Sequence, residues 1–177
     1  SRLVAMDYAA SISEATGVPA DAIVLHCTHT HTAPAIIDPG MPEPLNGDFS
    51  SVDPQKEKAY YEFVRARLCD AAQFALKDLK PAKMGFGIGE APNIAFVRRF
   101  RMKDGSVRTN PGVDNPDILH PIGDVDERVN VLRFDRAGGD TLVLVNFGDH
   151  PDVVGGTKIS ADWPGFLRRT VEKTLDH

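Results

Sequence analysis

The stretch RVNVLRFDRAGGDTLVLVNFGDH, Arg128 to His150, decides the fold class. Val129 to Asp135 and Thr141 to Asp149 are apolar runs on either side of Arg136-Ala137-Gly138-Gly139, the pattern of an antiparallel hairpin. The chain therefore contains a sheet. Upstream, Lys83 to Gly89 (KMGFGIG) reads as a short glycine-rich strand. Ala91 to Asp126 is mostly irregular, with one hairpin signal at Lys103-Asp104-Gly105. Ala22 to His31 reads as a further strand. Three helices surround these runs. Leu3 to Thr16 carries Leu3, Met6, Ala10 and Ile12 at helical spacing and stops at Gly17-Val18-Pro19. Pro54 to Leu79 carries Tyr60, Phe63, Val64, Leu68, Ala71, Phe74 and Ala75 at three- and four-residue steps, and Pro81 ends it. Trp163 to Leu175 is entered through SADWPG, with Asp162 as N-cap and Pro164 in the first turn. The expectation is an α/β or α+β fold, a mixed β-sheet flanked by helices, with residues 1–177 forming a single domain.

Bulk properties narrow the function. The chain has 177 residues, 42% of them hydrophobic, enough to build a core. Its net charge of −5 leaves no basic surplus for phosphate neutralisation, so nucleic acid is not an expected partner. The basic cluster FVRRFRMK, Phe96 to Lys103, reads as a solvated edge or as a patch for an anionic substrate group. No apolar run approaches the roughly 20 residues a bilayer span needs, and no signal-peptide pattern opens the chain. The two cysteines, Cys27 and Cys69, sit among apolar residues and are expected as buried thiols. Proline-rich Ala33 to Pro54 reads as a long loop of the kind that walls or covers a site.

Chemistry concentrates in VLHCTHTHTAP, Val24 to Pro34, which holds three of the six histidines. On a strand, His29 and His31 share a face with side chains about 6.5 Å apart, while His26 points the other way and reads as structural. An H-x-H pair can present two imidazoles to one cation. A catalytic zinc commonly takes three protein ligands and a water, and His150 is the third candidate. Like HTHTAP, it ends an apolar strand and precedes a proline. Hydrogen-bonded histidines without a metal are the competing reading. Asp149, Asp152 and Asp162 are carboxylates able to serve as ligands, as partners orienting an imidazole, or as loop and cap residues. No G-x-S-x-G, H-E-x-x-H or P-loop pattern is present.

These segments carry a family resemblance. THTHTAP resembles the THTHSGP motif of the neutral (alkaline, non-lysosomal) ceramidases, zinc amidases that cleave the N-acyl bond of ceramide. VNFGDHPDVVG resembles that family's second histidine segment, and ISADWPGF is similar to its SGDNxGY segment. PIGDVDERVNVLRF resembles GDVDxxMxLLxF, and EAPNIAFVRR aligns with ANINRS. The five segments follow the family's order. The resemblance implies Zn2+ as cofactor, His29 and His150 as ligands, and His31 as the catalytic histidine facing substrate. Arg98 or Arg99 falls near the family's arginine. Asp162, on its own chemistry rather than by the resemblance, is the carboxylate read as an additional ligand or as a residue orienting one. The implied substrate is a small molecule or lipid carrying an amide. Family members often act outside the cytoplasm, so a secreted or periplasmic location is implied by analogy. The family's glutamate and tyrosine ligands and its catalytic serine lie beyond the end of this chain. Its opening strand would precede Ser1, so the 177 residues are expected to be the central part of a larger catalytic domain. Thr32-Ala33, Asp152-Val153 and Asp162-Trp163 depart from the family pattern. They make a metal-dependent esterase or lactonase an alternative. A non-catalytic fragment or binding module retaining the fold is another.

Overall fold

The computed structural model describes residues 2–34, 36 and 53–175. Among them are three α-helices and two three-stranded antiparallel sheets, an α+β fold as expected from the sequence. Among the described residues every strand pairing is antiparallel, and the strands divide between two sheets where the sequence suggested one mixed sheet. The chain forms two compact units: residues up to Lys80 with Val154–Asp162, and Pro81–Val153 with the segment from Trp163 onward.

The first unit is built on α1 (Arg2–Thr16) and α2 (Pro54–Lys77). Val4, Tyr8 and Ile12 recur every four residues and form the buried stripe of α1. Leu3 and Met6, expected on that face, are 60% and 57% exposed. The helix is where the spacing put it, but it is rotated, because the stripe is anchored by Tyr8. The Tyr8 ring stacks at 4.9 Å on Tyr61 of α2, and its hydroxyl donates to the Tyr61 carbonyl at 3.1 Å. Val4, Tyr8 and Tyr61 form the core, with Leu25, Ile36, Val64 and Leu68 against it. The Tyr61 hydroxyl in turn donates to Asp7 Oδ2 at 2.6 Å. Asp53 caps α2, its Oδ1 accepting from the Gln55 amide at 2.9 Å, and Pro54 follows where its missing N–H costs nothing.

Ala22 to His31 is not a strand. A short 3-10 turn at Ala20–Ala22 leads into irregular backbone, and His29 adopts a left-handed φ of 65°. Apolar alternation marks a chain able to extend, but no described strand offers this segment a ladder. Cys27 is exposed and Cys69 half-buried, so neither is the buried thiol expected. The Ala33 to Pro54 loop falls largely outside the described residues.

In the second unit, β1 (Ala82–Glu90), β5 (Arg128–Arg136) and β6 (Leu142–Asn146) form one sheet in the order β1-β5-β6. The hairpin read from the sequence is its β5–β6 pair. Met84, Phe86 and Ile88 alternate with lysine and glycine, and stand opposite Phe134, Leu132 and Asn130. They belong to an exposed apolar face that Leu142 and Leu144 continue. The second sheet, in the order β3-β2-β4, comprises β2 (Arg99–Met102), β3 (Val107–Thr109) and β4 (Ile118–Pro121). The β2–β3 turn is the expected one, with Gly105 at φ 82°. Strand β4 lies in a region expected to be irregular; a bulge at Arg101/Met102 accommodates its pairing. Helix α3 (Asp162–Leu175) begins with Asp162 and Trp163, whose indole meets Phe147 edge-on at 6.0 Å.

Candidate metal centre

The THTHT run divides its side chains by alternation even without a ladder. Thr30 and Thr32 fasten the segment: their hydroxyls donate to the Ser160 carbonyl at 3.0 and 3.2 Å. The Ser160 amide donates back to the Thr32 carbonyl at 2.9 Å. Thr32 is buried, whereas His29 and His31 are exposed. Their rings meet edge-to-face with centroids 5.0 Å apart, closer than the 6.5 Å or so of a flat strand. The left-handed turn at His29 breaks the extended spacing and brings them together.

Asp162 is joined to this segment through Ser160. It is 1% exposed, its Oδ2 accepts from the Val154 amide at 2.8 Å, and its own amide donates to Ser160 Oγ at 3.0 Å. Its carboxylate thus closes the Val154–Asp162 loop, and its amide holds Ser160 where the threonines need it. With φ at 52°, Asp162 begins α3 in a conformation unlike the ordinary extended N-cap.

His150 follows β6 and is half-buried. Its Nδ1 lies 2.9 Å from Nη1 of Arg98, which stands just ahead of β2. The Arg98 carbonyl accepts from the Asn110 amide at 2.9 Å, so the arginine projects from a fixed backbone.

His29, His31 and His150 each offer one ring nitrogen, and these nitrogens all lie within 4.8 Å of one another. The three can hold a metal ion. Asp162 is not a member of that group, and His26, read as structural, is exposed. Sequence reasoning named all three histidines but missed what positions them. The alternation of threonine with histidine was the visible signal for the Thr30–Thr32 anchor. Nothing local pointed to Ser160, about 130 positions away. Arg98 stood in a segment already singled out, without a partner assigned.

Among the described residues, no helix is long and apolar enough to cross a membrane. Compared with protein-family models, curated proteins and solved structures, the chain matches none of them.

Proposed function

We propose that this chain carries the metal centre of a zinc-dependent hydrolase of the ceramidase-like amidase type, cleaving an N-acyl bond in a lipid-like substrate. The observation that carries the reading is the group formed by His29, His31 and His150. Three imidazoles are a donor set suited to zinc, as in catalytic sites with three protein ligands and one open position. Zinc–nitrogen bonds of about 2.0–2.1 Å place tetrahedral ligands about 3.4 Å apart, so the most separated nitrogens here close by at most about 1.4 Å. His29 and His150 are the ligands the motifs imply. The group of three supports His31 as third ligand over the substrate-facing role the motifs give it.

When bound, zinc supplies Lewis-acid polarisation of a carbonyl and lowers the pKa of a coordinated water towards neutrality. The chain's residues do the rest. Thr30 and Thr32 hold the histidine pair at a fixed place, Asp162 holds the loop carrying Ser160, and the exposure of His29 and His31 leaves room for substrate.

The test is hydrolysis of an N-acyl sphingoid amide, a matched ester and a lactone by the zinc-loaded chain, with and without chelator. The expected result is zinc-dependent cleavage of the amide, lost in His29→Ala and His150→Ala. Cleavage of the ester or lactone with the amide untouched would assign the rival activity. In His31→Ala, loss of zinc fits the ligand role; retained zinc with lost turnover fits the substrate-facing role.

A further inference from the structure

We infer that Arg98 is a latch on His150, and that its hydrogen bond and a metal ion exclude each other. The inference rests on the metal reading above. A guanidinium has only N–H donors, so at 2.9 Å from Nη1 the His150 Nδ1 must be the acceptor. In a neutral imidazole that places the ring proton on Nε2. Held this way, His150 presents its one lone pair to Arg98 and an N–H at its other nitrogen. Neither nitrogen is then ready to bind a cation.

Both routes to ligation displace the arginine. A metal at Nδ1 takes the lone pair that Arg98 uses. A metal at Nε2 requires the proton to move to Nδ1, where it would face an arginine N–H. The Arg98 side chain is exposed, while its backbone carbonyl accepts from the Asn110 amide at 2.9 Å. Arg98 therefore acts as a positioning residue. It keeps the metal-free ring in one tautomer and orientation, and it yields when an ion binds.

The latch opposes metal binding, so removing it strengthens affinity. An exposed charge-assisted hydrogen bond of this kind corresponds to a change of about three- to tenfold. The experiment is competition for zinc(II) between a chromophoric chelator and the whole chain, wild type against Arg98→Ala, at low and at high salt. It is joined to 15N NMR of the metal-free imidazoles. The expected results are tighter zinc binding in Arg98→Ala that persists at high salt, and a wild-type His150 ring protonated at Nε2 whose Nδ1 resonance shifts in the variant as the Arg98 donor is lost.

Equal or weaker zinc binding in Arg98→Ala overturns the latch and leaves the metal reading standing. A gain that vanishes at high salt also overturns it, because the effect is then simple repulsion between the guanidinium and the ion. Zinc binding by neither chain removes the metal reading, and the latch with it.

Discussion

Removing the ring of Tyr61 tests what holds α1 to α2. The side chain is 7% exposed, stacks on Tyr8 at 4.9 Å and belongs to the core with Val4. Truncating a buried aromatic side chain costs about 3–5 kcal/mol, so Tyr61→Ala is expected to destabilise the chain by that much. Tyr61→Phe keeps the ring and loses only the hydroxyl bond to Asp7. Asp7 is 46% exposed, so water replaces the lost donor and the cost falls to about 1 kcal/mol. The hydroxyl also sets a pH dependence. Burial first, then the hydrogen bond to Asp7 and that group's charge, raise the Tyr61 hydroxyl above its ordinary value. The folded chain thus holds this proton more tightly than the unfolded chain does. That contribution is complete below about pH 10 and declines as the pH rises beyond it. Tyr61→Phe abolishes the Tyr61 share of the alkaline loss. Tyr8, raised mainly by burial, retains its own. Urea denaturation followed by circular dichroism at 222 nm, at pH 8 and pH 11, measures both effects. A Tyr61→Phe cost equal to that of Tyr61→Ala, or a Tyr61→Ala cost below about 1 kcal/mol, would refute the argument that ring packing joins the helices.

Two further effects follow from local geometry. Asp53→Ala leaves the Gln55 amide without its cap and should cost about 1 kcal/mol in the same denaturation assay, whereas Asp53→Asn or Asp53→Ser should cost much less. Asp126 accepts from the Arg128 side chain and amide, which hold its carboxyl down at about 2. Its stabilising contribution is therefore present above the ordinary carboxylate range and is lost as the pH falls towards 2. A 13C carboxyl titration by NMR should find that midpoint, and Arg128→Ala should return it towards the ordinary value of about 3.9.

The long helices and the β5–β6 hairpin were legible because periodicity and turn residues act locally. Which face a helix buries was less so: Leu3 and Met6 have the right character, but the Tyr8–Tyr61 pair outweighs them. The Ala22–His31 segment misled because alternation says nothing about whether a partner strand exists. Strand β4, only four residues long, carries too little pattern to read. At the site, the three histidines could be named from type and spacing. The Arg98–His150 and Thr30–Ser160 contacts join residues 52 and 130 positions apart, and only the folded chain brings them together.

The central claim is that His29, His31 and His150 form one metal site, and zinc stoichiometry tests it most directly. The measurement is elemental analysis of the dialysed chain beside His29→Ala and His150→Ala. The account predicts about one zinc per wild-type chain and loss of that zinc in each variant, since catalytic zinc sites rest on about three protein ligands. Zinc retained at full stoichiometry in both variants, or absent from the wild type, would contradict it.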